Sequence, residues 1–211
     1  MAKRFLRGIW WIKRDFRLND NQALCQAIAE CETVLPLFVI EPDLCAAEET
    51  SSFHYHAWRH AGQALDVALQ ACDNGLSLWV GGVCDVLDLL LANDGFDALY
   101  SHEETGSDIT YARDKAVARW TRKHGVHWTE SPQTGVIRGL TDRDKRQPII
   151  RKRLMQTLPL SAPATIPAWK PERIGPVEAA QIGRFSVQGA EVFPLCLESW
   201  PSLVQFQQFQ Q

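Results

Sequence analysis

The stretch Gly8-Ile9-Trp10-Trp11-Ile12-Lys13-Arg14-Asp15-Phe16-Arg17-Leu18-Asn19-Asp20-Asn21-Gln22-Ala23-Leu24 leaves this chain few folds to choose from. Ile9 to Ile12 is a continuous apolar run, the pattern of a central strand buried on both faces of a parallel sheet rather than of an alternating edge strand. The run then turns abruptly charged. Arg14, Asp15 and Arg17 leave the strand at its carboxyl end, and Asp20 or Asn21 is placed to cap a helix whose apolar side starts with Ala23 and Leu24. In open α/β sheets ligands bind in the crevice beyond the strand carboxyl ends, so two arginines and a carboxylate there are candidate binding residues. The same three groups could instead pair with one another and only fix the turn.

Further strand and helix patterns alternate behind this opening. The first helix is expected to end near Glu32, and Thr33 to Ile40 is a second near-continuous apolar run bounded by Glu41-Pro42. Asp43 to Ser52, acidic and rich in small residues, reads as a loop over the carboxyl edge. A long helix begins at Ser51 or Ser52 and stops at Asp73-Asn74-Gly75, with Trp58, Ala61, Leu65, Ala68 and Cys72 on one face. Leu76 to Val80 is a third strand, Val86 to Ala92 a mostly apolar helix, and Ala98-Leu99-Tyr100 a fourth strand that delivers Ser101 to Gly106 to the same edge as Arg14 and Arg17. A helix capped by Ser107 or Asp108 carries Tyr111, Ala118 and Trp120 and closes with Arg122, Lys123 and His124 before Gly125, and Val126 to Glu130 is a fifth strand. Strand and helix in this alternation predict a five-stranded, doubly wound, Rossmann-like parallel sheet of the α/β class.

Past residue 131 the character changes. Arg143, Lys145, Arg146, Arg151, Lys152 and Arg153 make a basic, helix-prone segment, Pro159 to Pro176 has the composition of a linker, and residues 185–211 form an apolar, Gln-rich tail that needs a partner. The expected division is therefore 1–135 as the α/β domain, 136–184 as basic segment and linker, and 185–211 as an irregular or helical tail. A net charge of −3 argues against a grip on nucleic acid by the protein as a whole. The six cysteines show no CxxC pair, as expected of buried thiols in a reducing, cytoplasmic setting. No secretory signal and no apolar span of about 20 residues are seen, so no membrane partner is expected. His54, His56 and His60 have helical spacing for a metal, but no acidic or cysteine ligand sits at a matching offset, and a solvated helix start explains them better.

Three stretches carry a resemblance. Trp11 to Asn21 resembles the opening signature of the DNA photolyase and cryptochrome family. Val34 to Pro42 resembles its second strand and proline, and Ser101-His102-Glu103-Glu104-Thr105-Gly106, with Tyr111 and Arg113-Asp114, resembles the loop and helix after its fourth strand. The match covers roughly residues 5 to 140. It implies an amino-terminal domain that binds a light-harvesting antenna chromophore, namely methenyltetrahydrofolate, 8-hydroxydeazaflavin or FMN. By matching positions, Arg14, Asp15, Arg17, Phe38, Glu41, Glu103 and Glu104 are expected around this pigment. Guanidinium groups would pair with anionic tails, carboxylates would accept from ring or ribityl donors, and Phe38 would stack on a planar ring.

Full-length relatives of the resembled kind act as deoxyribodipyrimidine photo-lyases, using FAD held in a separate helical domain. That domain is expected to start about where this chain stops. Phe193-Pro194 is followed here by Leu195-Cys196, where the family has two glycines. FAD is therefore not expected in this chain, DNA binding by it alone is expected to be weak or nil, and catalytic residues are not assigned. The chain reads as a truncated or frame-altered photolyase-like protein, or as a stand-alone domain whose tail meets a helical flavin-bearing partner or a second copy. Two other readings stay open: an adenine-nucleotide module, which would lean on Arg14 and Arg17 because no glycine-rich phosphate loop is present, and a non-enzymatic interaction module.

Overall fold

The computed structural model describes residues 2–133, 135–156 and 159–171, and the backbone of 193–195. The first strand, β1 (Phe5–Ile12), is followed by α1 (Gln22–Glu30), β2 (Cys31–Ile40), α2 (Pro42–Ala46), α3 (Ser52–Gln70), β3 (Ser77–Val80), α4 (Val83–Asn93), β4 (Ala98–His102), α5 (Asp108–His124) and β5 (His127–Ser131). A short 3-10 turn (Arg143–Lys145) leads into α6 (Arg146–Gln156), and β6 (Phe193–Leu195) closes the described chain. The sheet order is β5-β4-β1-β2-β3-β6. Strands β1 to β5 are all parallel, as predicted, and β6 adds antiparallel to β3. This sixth strand lies in the stretch expected to be an irregular or helical tail, so at Phe193–Leu195 that expectation is corrected: the backbone pairs with the sheet edge of its own chain.

The two faces of β1 divide the core. Trp10 and Ile12 pack with Ala23, Leu24 and Ala27 of α1 and Tyr55, Leu65 and Leu69 of α3, whereas Ile9 and Trp11 pack with Val86, Leu87 and Leu90 of α4 and Val117 and Trp120 of α5. Helices α1 and α3 thus cover one face and α4 and α5 the other. The sequence order reverses between β1 and β4, and the crevice for a ligand opens at their carboxyl ends.

Local rules explain the element ends. Asn21 caps α1, its side-chain oxygen accepting from the Leu24 N–H at 2.9 Å. Helix α5 stops at Gly125, which takes the left-handed conformation (φ 69°) after a basic last turn. Three expectations shift. Helix α1 ends at Glu30 rather than Glu32, and β2 takes up the chain at once. The expected loop after β2 instead begins with one helical turn, α2, started by Pro42 at a position where a missing N–H is harmless. On α3 the fully buried positions are Tyr55, Gly62, Leu65 and Leu69, while Trp58 is only partly buried and Ala61 and Ala68 flank the stripe.

Residues 159–171, whose composition reads as a linker, lie against the sheet. The Val34 N–H donates to the Pro167 carbonyl at 2.8 Å and the Trp169 N–H to the Val34 carbonyl at 3.2 Å, so Ala168 pairs with β2 in parallel beside the start of β3. Ile166 and Trp169 are buried, one in each core.

Candidate functional site

Loops from the carboxyl ends of β1, β2 and β4 meet at the switch point, and what they bring together is mostly charge. Arg113 on α5 pairs with Glu41 at 2.8 Å, with Asp114 at 3.1 Å and with Glu104. Lys13 reaches Asp114 at 2.9 Å and Glu130 at 3.3 Å, and Arg138 reaches Asp114 at 2.9 Å and Glu130 at 3.0 Å. Arg14 reaches Glu104 at 2.8 Å from the solvent side. Four cations thus face four carboxylates, a balance that lets so many charges sit half or fully out of water. The cations also rest on aromatic faces: Lys13 Nζ lies 4.5 Å from the Trp11 ring centre and the Arg113 guanidinium 4.9 Å.

Electrostatics follow from this packing. Burial alone would raise the Asp114 carboxyl, but Lys13 and Arg113 outweigh it and hold the group below its ordinary range. Glu41 goes the other way, because burial raises its carboxyl and Arg113 offsets that only in part. Burial would lower the Arg113 guanidinium, yet Glu41, Glu104 and Asp114 hold it above its usual value.

Of the residues expected around a ligand, Arg14, Phe38, Glu41 and Glu104 line one cleft, together with Trp11, Leu44, Trp58 and Arg113. Phe38 meets Phe16 edge-on at 4.9 Å, and Phe38, Trp11 and Trp58 give the cleft an aromatic lining beside its charged groups. Counted to its mouth the cleft is about 360 Å³, but its interior has room for little more than one water. Glu103 lines an adjoining, more open crevice of about 490 Å³, which also touches Lys13, Arg14, Glu104 and Gly106. Arg17 faces neither; it lines a third hollow beside α6.

Asp15 is buried beneath the loop. One of its oxygens accepts from His102 Nδ1 at 2.7 Å and from the Asn21 amide at 3.2 Å, and the other accepts from the Lys13 N–H at 3.2 Å. Burial would raise this carboxyl too, but His102 and the Lys13 N–H keep it below the usual range. Asp15 therefore holds the β1 loop to β4, with His102 as its ion-pair partner among the described residues rather than the Arg14 or Arg17 that a self-paired turn implied.

The family model described as DNA photolyase matches residues 8–146. The chain belongs to that family. Among curated relatives of this photolyase-family chain, the blue-light photoreceptor PHR2 of Arabidopsis thaliana is 31% identical over 113 residues, which is 51% of this chain and 25% of the relative. A cryptochrome DASH of Natronomonas pharaonis is 28% identical over 195 residues, 82% of this chain and 40% of the relative. The chain thus spans less than half the length of these relatives. Solved structures with the same fold include a bacterial class III photolyase from Agrobacterium tumefaciens, with a TM-score of 0.63 at 21% identity over 81% of this chain and 36% of that one. An archaeal photolyase from Sulfolobus tokodaii, solved with two FAD molecules, gives a TM-score of 0.62 at 20% identity over 78% of this chain and 38% of that one.

In this photolyase-family domain the groups that sequence reasoning did not assign to the site are Lys13, His102, Arg113, Asp114, Glu130 and Arg138. Arg113-Asp114 carried a usable signal, because helix α5 starts at the same edge and places its second turn over the β1 loop. Arg138 carried none, standing in a segment with no periodic pattern. Among the described residues no helix is long and apolar enough to cross a membrane, and no group of His, Cys, Asp or Glu is arranged to hold a metal. His54 acts locally: its Nδ1 accepts from the Ser51 N–H at 3.1 Å at the start of α3.

Proposed function

We propose that this domain holds a planar, anionic light-harvesting chromophore at the carboxyl edge of its sheet. The observation that carries the reading is the convergence of Arg14, Phe38, Glu41 and Glu104, from the carboxyl ends of three strands, on one cleft with an aromatic lining. The donor set suits methenyltetrahydrofolate, 8-hydroxydeazaflavin or FMN: Arg14 for an anionic tail, Phe38 for a ring face, Glu41 and Glu104 for ring or ribityl donors. Family membership and the light-linked names of the relatives support it. Such a group would supply absorption of near-ultraviolet or blue light. The protein's part is to bind it, exclude water from its ring and fix its orientation.

The cleft as it stands is narrower than any of these molecules, so loading requires its walls, closed by the Glu104–Arg113–Glu41 bridge, to part. Arg14, half exposed, keeps its place at the mouth throughout. Photorepair of pyrimidine dimers, on this reading, belongs to a flavin-bearing helical domain outside these residues, in the same polypeptide or a partner.

Titrating purified protein with each of the three chromophores and following absorbance tests the proposal. A saturable shift of the pigment band is expected, weakened at least tenfold in Phe38→Ala and in Arg14→Ala. Spectra equal to the sum of free pigment and protein at saturating concentration would overturn it.

A further inference from the structure

A further hollow at the sheet's carboxyl edge, about 970 Å³ counted to its mouth, shares no lining residue with the chromophore cleft. It lies between the start of α1, the end of β4 and α6, with Arg17, His102, Gln133, Ile150, Arg153 and Leu160 among its walls. The β1 loop is tied to the far wall by three bonds, the Asp20 N–H to the Leu160 carbonyl at 2.7 Å, the Leu160 N–H to the Asp20 side chain at 3.4 Å and the Ala162 N–H to the Asn19 side chain at 3.0 Å. The hollow is thus a built feature of the packed chain.

Two of its groups have chemistry that the fold leaves unused. His102 is almost wholly buried, with 3% of its side chain exposed. Its Nδ1–H donates to Asp15, which fixes the neutral ring as the tautomer whose Nε2 carries a lone pair. Nε2 has no hydrogen-bond partner among the described residues, and His102 lines both this hollow and the neighbouring crevice. A buried imidazole nitrogen oriented by a carboxylate behind it and open in front is an acceptor awaiting a donor. The second group is Arg17. Its only hydrogen bond among the described residues is to the Asp20 carbonyl at 3.1 Å, and it takes part in no ion pair there. Gln22 and Gln133, which share the hollow with it, are neutral and Arg153 of α6 is a second cation, while Asp20 on its own loop accepts from the Leu160 N–H at 3.4 Å. A cation without a counter-ion beside a free acceptor suits a ligand that is anionic at one end and hydroxylated at the other.

We propose that this hollow binds a phosphorylated polyol, of the ribose-phosphate class, with its phosphate on Arg17 and a hydroxyl donating to His102 Nε2. The ligand's aliphatic side lies along Ile150 and Leu160. The site stands apart from the chromophore cleft in residues and in chemistry, since a sugar phosphate has no planar ring to lay on Phe38.

Ribose 5-phosphate is the probe, added to the full chain at pH 8. Calorimetry gives the affinity, and the nitrogen-15 shift of the His102 ring reports whether Nε2 gains a donor. Expected are saturable binding with a shift at Nε2, at least tenfold weaker binding of inorganic phosphate and of ribose, and a tenfold or greater loss in Arg17→Ala. Arg17 is half exposed and makes one bond, so that variant keeps its fold and separates binding from stability; His102→Gln, which also disturbs Asp15, is the second variant and should lose the hydroxyl-dependent part of the affinity. Absence of saturable binding, an unmoved Nε2 signal, or inorganic phosphate binding as tightly as the ester would each overturn the proposal. None of these outcomes depends on whether a pigment binds.

Discussion

The Asp15–His102 pair shows how one residue can be mistaken for a ligand group and still govern the site. A carboxylate in a charged turn looks the same in sequence whether it faces a ligand or a partner from a distant strand, and His102 stands 87 positions away. What decides is burial: Asp15 is 2% exposed, so its charge persists only because His102, Asn21 and the Lys13 N–H satisfy it. Asp15→Asn keeps the shape but removes the charge-assisted bond, and a loss of about 1.5–3 kcal/mol at pH 7 is expected by urea denaturation. The pH dependence has a fixed sign. The folded-state pKa of Asp15 is depressed, so its contribution is full above the ordinary carboxylate range and lost as pH falls through the folded value. The stabilities of wild type and Asp15→Asn should therefore begin to approach each other only below about pH 4. A gap that stays constant from pH 7 to pH 3 would contradict this account. The cation partner Arg138 was beyond sequence reasoning for the same reason, because opposite charges scattered over the chain become a network only after the sheet orders the loops.

At the scale of elements, apolar continuity made the strands legible and exceptions to it explain the rest. Pro36 stands in the middle of β2, where a proline usually rules a central strand out. Its register resolves the conflict. The Val34 N–H points to the Pro167 carbonyl, and by the alternation of a strand residue 36 faces the same side, between the Ala168 bridge and the first β3 pair at Leu37. No donor is needed there. The α3 stripe was right at Leu65 and Cys72 but ran through Ala61 and Ala68, because alanines mark a face weakly; Tyr55, Gly62 and Leu69, outside the expected set, are the other positions pressed onto the sheet. Gly8 marks the tightest approach on the α1 face: a Cβ there would run into Cys31 Sγ, and Cys31 is fully buried next to Tyr100. Gly8→Ala is expected to destabilise the domain by about 1–3 kcal/mol through overpacking. Adding Cys31→Ala removes the obstructing sulfur, so the double variant should recover most of that loss relative to Cys31→Ala alone. Thermal or urea unfolding of the four proteins gives the coupling, and strict additivity would place the strain elsewhere.

For the molecule as a whole the question is where the α/β unit stops. Composition suggests that proline-rich residues after 159 are solvated, and five parallel strands do look complete without them. Yet the sheet is uneven in length. Strand β2 runs ten residues and β3 only four, so the amino-terminal half of β2 would present bare backbone on that side. The chain returns to fill the gap: Pro167 and Trp169 take the two backbone bonds of Val34, Asn74 donates to the Ile166 carbonyl at 3.3 Å, and the Trp169 ring lies 6.2 Å from Phe96 and 5.7 Å from the Arg7 guanidinium. Prolines suit such a strap, since it needs few donors and little freedom to lose. Trp169→Ala separates the two views. A residue in a solvated linker changes stability by about 0.5 kcal/mol or less on truncation, whereas a tryptophan 5% exposed in the second core should lose about 3–5 kcal/mol. Urea unfolding followed by circular dichroism should show one transition at a lower midpoint with its slope unchanged, because the strap and the sheet form a single cooperative unit. An unshifted midpoint, or a second early transition in the wild type, would place the boundary of the folded unit before residue 159.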